Sequence, residues 1–163
     1  MIKFRYFSGM VTRIDNFYTG DPELEGCIKL MEVKNRNGEV VNFVISPDTY
    51  FINGVIVEIG DSVTGYYDAN APTPLIYPPR FRAVIISKNT KNYNVKVDYF
   101  NEFLESGDGT LRLNIARNTK LIMINGQNFT GRITDRNLIV LYGPTTRSIP
   151  AQTTPYKIIV LCN

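Results

Sequence analysis

The chain has 163 residues, 44% hydrophobic and 20% charged, with a net charge of +3 and no histidine. That balance excludes a disordered polymer, and the length suffices for one ordinary domain or two small ones, burying roughly 70% of the unfolded surface as a single unit. Without histidine, Ser-His and Cys-His nucleophilic chemistry and most zinc sites are excluded as well.

The chain opens "MIKFRYFSGMVTRID", which lacks an apolar core of signal-peptide length, and no later run approaches a membrane span. A soluble, cytoplasmic protein is the expectation. Strands are predicted at "FSGMVTRIDNF", "CIKLMEVK", "VVNFVIS", "YFINGVIVE", "SVTGYYD" and "FRAVIIS", with "NRNGE" as a hairpin turn because Asn and Gly tolerate positive φ. The acidic "TGDPELEG" lacks the ligand spacing of a calcium loop and reads as solvated. In the second half, "YNVKVDYF", "EFLES", "TLRLNIA", "KLIMING", "NLIVLYG" and "YKIIVLC" read as strands. Leu111, Leu113 and Ile115 alternate with Arg112, Asn114 and Ala116, as in a half-buried strand. Only "NEFLESGDG" has room for a helical turn. Cys27 and Cys162 lie far apart with no CxxC spacing and read as buried reduced thiols.

Three blocks recur in order: "TRIDNF" (12–17) with "VKVDYF" (95–100), "NGEVVNFVISPDTYFING" (37–54) with "DGTLRLNIARNTKLIMING" (108–126), and "VTGYYDANAPTPLIYPPRFRAVII" (63–86) with "LIVLYGPTTRSIPAQTTPYKIIVL" (138–161). Seven of the nine prolines fall in the two matching loops of the last block. A disordered tail would not have an internal echo, so the closing stretch reads as an ordered part of a repeat. The division is placed at 1–90 and 91–163. Five or so short strands per unit predict an all-β protein of two tandem small antiparallel barrels, OB-like first, with SH3-like barrels or one sandwich as alternatives. Charge divides unevenly: 8 basic against 10 acidic residues up to Ser87, and 10 against 5 from Lys88 onward.

On "GYYDANAPTPLIYPPRFRAVII" and "RNLIVLYGPTTRSIPAQTTPYKIIVL" the chain resembles the paired β-barrel region of cell-surface proteins from Gram-positive spore-forming bacteria. That region often accompanies the stalk-type repeat named copper-amine-oxidase N-terminal-like. The likeness runs from about Phe7 to Leu161, with "TRSIPAQTTP" its most specific string. It implies an extracellular setting for relatives and brings no catalytic residue. It implies no copper either, since a chain without histidine has no plausible copper-oxidase site.

Asp15 and Asp98 match in the first block, each two places after a basic residue (Arg13, Lys96). Positions common to both halves of a duplicated scaffold serve the scaffold more often than chemistry, so neither is assigned as catalytic. The D-T and N-T steps of "SPDTY" and "ARNTK" read as Asx-turns held by Asp48 and Asn118. Aromatic and basic residues gather at Tyr66, Tyr67, Tyr77, Arg80, Phe81 and Arg82, and again at Tyr142, Arg147, Tyr156 and Lys157. The expected binding residues are Arg147, Tyr142, Tyr67, Arg80, Arg82 and Tyr77, with no catalytic residue, metal or cofactor. The leading expectation is a non-enzymatic structural or binding module presenting stiff Pro/Thr loops to a protein or a cell-envelope polymer. Single-strand nucleic-acid binding of the OB type is the alternative, because aromatic platforms beside a basic groove suit it. Oligomeric state stays open at this point.

Overall fold

The computed structural model describes residues 2–162, and the chain divides into two compact units, Met1–Asn89 and Thr90–Asn163. Both are all-β. The first holds β1 (Phe4–Asn16), β2 (Lys29–Lys34), β3 (Val40–Ile45), β4 (Tyr50–Phe51), β5 (Ser62–Asp68), β6 (Arg80–Arg82) and β7 (Ile85–Lys88), in one sheet ordered β4-β7-β5-β1-β2-β3-β6. The second holds β8 (Asn94–Phe100), β9 (Leu111–Leu113), β10 (Lys120–Met123), β11 (Arg136–Tyr142), β12 (Ala151–Thr153) and β13 (Lys157–Val160). Its sheets run β10-β13-β11-β8 and β12-β9.

Two tandem antiparallel OB-like barrels are not what these strands build. The sheets are mixed, in a solenoid-like winding where the chain returns parallel to an earlier strand. β3 with β6, β4 with β7, β9 with β12 and β10 with β13 are all parallel pairs. A parallel partner needs a long crossover, and residues 46–79 between β3 and β6 and 114–150 between β9 and β12 supply one in each unit, with the Pro/Thr loops as their last legs.

The long β1 is shared between two neighbours. Its first half pairs antiparallel with β5, and its second half with β2 past an irregularity between Val11 and Arg13. Period-two alternation places Met31 and Val33 of β2, and Val41 and Phe43 of β3, in a core with Val11, Val63, Ala83 and Ile86. Gly65 on β5 makes room for the fully buried Phe43, because a Cβ there would fall inside contact distance of the ring. In the second unit Phe100, Leu111, Leu113, Leu138, Val140, Ile158 and Val160 form the core. Every residue of β11 from Asn137 to Leu141 is buried, which fits its unbroken apolar run.

Several local expectations are corrected. The strand expected over "YFINGVIVE" stops at Phe51 and gives way to a 3₁₀ turn, Ile52–Gly54. "TLRLNIA" pairs only from Leu111 to Leu113, and Ile115 is exposed. No helix forms in "NEFLESGDG"; bridges Phe100–Ser106 and Glu105–Arg112 fold it into a compact turn. Both cysteines are free but exposed, not buried. Among the described residues no helix is long and apolar enough to cross a membrane.

Both units hold their central turn by a threonine. Thr49 Oγ1 accepts from Ser46 N–H at 3.0 Å and donates to Ala83 C=O at 2.9 Å. Thr119 Oγ1 accepts from Ala116 N–H at 3.2 Å and donates to Pro155 C=O at 3.0 Å. The Asx reading of these turns therefore named the wrong side chain. The threonine ties the turn to the strand that returns beside it, a contact 34 and 36 residues away that local sequence does not reveal.

Candidate functional site

Strand β6 is short, and its alternation is functionally suggestive. Phe81 turns to the core side, where it stacks on Tyr67 with centroids 3.9 Å apart and planes 7° from parallel. Arg80 and Arg82, at i and i+2, share the opposite side. There they line a groove of about 330 Å³ with Phe17, Leu24, Ile28, Val44, Pro72 and Pro74, and with Thr19, Ser46 and Thr73 as its hydroxyls. Pro72, Thr73 and Arg82 also wall a smaller hollow of about 200 Å³ that reaches Tyr67 and Phe81.

The groove is assembled from distant sequence. Phe17 follows β1; Leu24 ends the 3₁₀ turn Pro22–Leu24, which Asp21 caps by accepting from Glu23 N–H at 3.0 Å. Pro72 and Pro74 belong to the crossover before β6. The Arg80 guanidinium lies 5.0 Å from the Phe17 ring centroid, a cation–π contact. Its Nε is buried and has no hydrogen-bond partner among the described residues. Arg82 is exposed and meets Asp48 at 4.0 Å, a pairing too open and too long to neutralise it. The wall is thus apolar, and its charge is positive and largely unspent.

The other expected residues scatter. Tyr67 is half-buried; burial pushes its hydroxyl pKa up, offset in part by Arg5, and its ring is occupied by Phe81 and Phe43. Tyr77 is 83% exposed in the crossover, beside exposed Leu75 and Ile76. In the second unit Tyr142 ends β11 half-buried, its pKa raised by burial. Arg147 is exposed within a loop that orders itself. Thr146 N–H donates to Gln152 C=O at 2.9 Å, Gln152 N–H returns to Thr146 Oγ1 at 2.9 Å, and Ser148 Oγ donates to Pro150 C=O at 2.8 Å. Ile149, next to a cis bond like that of Tyr77–Pro78, is 95% exposed.

Comparison of the chain with protein-family models, with curated proteins and with solved structures returned no match. Geometry therefore carries the assignment.

The two aspartates are structural and not equivalent. Asp15 pairs across the sheet with Leu30 and forms an ion pair with Arg13. Asp98 pairs across its sheet with Leu138. The Asp98 carboxylate accepts from Tyr99 N–H at 2.8 Å and Asp108 N–H at 3.2 Å, which fixes the turn after β8. Beside it, Lys96 pairs with Asp108. Burial would raise the Asp108 carboxyl, but hydrogen bonds from Lys96, Ser106 and Thr110 outweigh it and hold the group well below the usual carboxylate range. Among the described residues no group of three or more His, Cys, Asp or Glu could hold a metal ion.

Phe17, Leu24 and Ile28 were not among the expected binding residues, whereas Pro72 and Pro74 lie in a loop expected to present a binding surface. Their one signal was position: a long loop after β1 and a Pro/Thr crossover, each of which covers the end of a sheet.

Proposed function

We propose that this protein is a non-enzymatic binding module whose first unit holds an acidic, partly apolar stretch of a protein or cell-envelope polymer in the β6 groove. The observation that carries this reading is Arg80: a guanidinium laid on the Phe17 ring, its Nε unpartnered, between apolar walls and next to the exposed Arg82. Such a site favours a ligand that brings an oxyanion for the guanidinium fork and hydrocarbon for Leu24, Ile28, Val44 and Pro74. The site offers no His base, and the aspartates above are engaged as turn and strand partners, so turnover is not part of the reading.

The test is binding of three fluorescent probes to the whole chain at about 0.15 M salt: a hexaglutamate peptide, a glycerol-phosphate oligomer and a single-stranded oligonucleotide. The first or second should bind, and Arg80→Ala should weaken it about tenfold or more, the scale of a lost charge-assisted hydrogen bond. Arg80→Lys should recover little, because an ammonium cannot reproduce the stacked planar fork. Binding of the oligonucleotide alone would transfer the site to nucleic acid. Equal affinity in Arg80→Ala, with unchanged melting, would remove the groove from consideration.

A further inference from the structure

A second and larger cavity, about 810 Å³, opens in the first unit where β1 passes its irregularity. Ser8, Gly9, Met10 and Thr12 of β1 line it, with Lys34 to Asn37 of the β2–β3 hairpin, Ser62 and Asn89. Gly9 is obligatory on its floor, since a Cβ there would sit 2.5 Å from the Lys34 carbonyl oxygen. The lining holds no carboxylate. Two carboxylates border it, Glu39 accepting from Asn35 Nδ2 at 3.0 Å and Glu32 from Thr12 Oγ1 at 2.8 Å, while Asp61 is paired with Lys88 at 3.3 Å. Lys34 and Arg36 have no ion pair among the described residues and are the charged residues of the lining itself.

Its hydroxyls are arranged in a directed chain. Thr64 Oγ1 donates to Asn89 Oδ1 at 2.9 Å, which spends its one proton, so at 2.7 Å it must accept from Ser8 Oγ. Asn89 Nδ2 in turn donates to Ser62 Oγ at 2.8 Å. Every proton in the series Ser8, Thr64, Asn89, Ser62 thus points the same way. The series ends on the Ser62 hydroxyl, left to donate outward at the cavity wall, and each bond polarises the next. A directed donor from β5 beside an ammonium and a guanidinium from the β2–β3 hairpin suit an acceptor with several oxygens and negative charge.

We propose that this cavity binds a phosphate ester of sugar-like size, its phosphoryl oxygens met by Ser62, Lys34 and Arg36. Three donors suit the three free oxygens of a phosphoryl group better than the two of a carboxylate. The volume exceeds what a bare phosphate fills and leaves room for a polyol body against Asn37, Thr12 and Met10. This site is separate from the β6 groove and shares no lining residue with it.

The experiment is a two-dimensional amide NMR titration of the whole chain with glucose 6-phosphate, glucose and inorganic phosphate at about 0.15 M salt, where loose surface attraction is screened. Glucose 6-phosphate should give saturable shifts at Lys34 to Asn37, Ser62 and Asn89, and glucose should give none. Arg36→Gln and Lys34→Gln, both at exposed positions that leave the fold intact, should each weaken binding about tenfold. Ser62→Ala should weaken it several-fold, whereas Arg80→Ala should leave it unchanged. The absence of saturable shifts, or equal affinity in both glutamine variants, would overturn the proposal. Inorganic phosphate binding as tightly as the ester would overturn the assignment of a sugar-sized body.

Discussion

Replacing Thr49 by Val keeps the side-chain volume and removes one hydroxyl. In the structure Thr49 is 9% exposed and its hydroxyl makes two bonds, from Ser46 N–H and to Ala83 C=O. Valine leaves the amide without its acceptor and takes one donor from the carbonyl. At about 1–3 kcal/mol per buried group left unsatisfied, and with the Ser46 amide half open to water, the expected loss is about 2–4 kcal/mol. A unit of this size melts about 4–8 °C lower per kcal/mol, so calorimetry should register a fall of about 10–30 °C in the first unit's transition. Thr49→Ser retains the hydroxyl and loses one methyl, for about 1 kcal/mol. Asp48→Ala removes only an exposed ion-pair partner of Arg82 and should cost less than about 0.5 kcal/mol. The same ranking should hold for Thr119→Val against Asn118→Ala in the second unit. If Asp48→Ala destabilises more than Thr49→Val, the turn is an Asx-turn after all and this reasoning fails.

Other outcomes follow from the same geometry. Gly65→Ala drives a methyl into the Phe43 ring and should cost about 1–3 kcal/mol, part of which Phe43→Leu should restore in the double variant; simple additivity of the two losses in urea denaturation would count against the clash. Asp108 has a folded-state pKa below its unfolded value of about 3.9, so its contribution is present above that pH and is lost as pH falls further. Asp108→Asn should therefore lower stability by about 1 kcal/mol at pH 7, discounted for its partial exposure, and flatten the acid limb of the stability–pH curve; an unchanged limb would refute the role given to Lys96, Ser106 and Thr110. Cys27, exposed and 4.0 Å from the Glu23 carbonyl oxygen, should react with a thiol reagent in the folded protein, as should Cys162. Protection of either until unfolding would contradict the exposure seen here.

What the sequence determined by itself is what depends on near neighbours. The all-β class follows from period-two runs of Ile, Val, Tyr and Phe between Gly and Pro. The sharing of a face by Arg80 and Arg82 follows from their i, i+2 spacing. The order of the closing "TTRSIPAQTTP" loop agrees with the bonds among Thr146, Ser148, Pro150 and Gln152. Strand direction was not legible, because an alternating run reads the same whether its partner is parallel or antiparallel. Only the path of the 46–79 and 114–150 connections in space returned β6 beside β3 and β12 beside β9. Thr49 against Asp48 was decided in the same way: both fit a turn locally, and the distant Ala83 carbonyl selects the hydroxyl. The groove itself joins Phe17, Leu24, Pro74 and Arg80, residues no local pattern links, because a concave site forms where separate segments converge and its chemistry belongs to none of them alone.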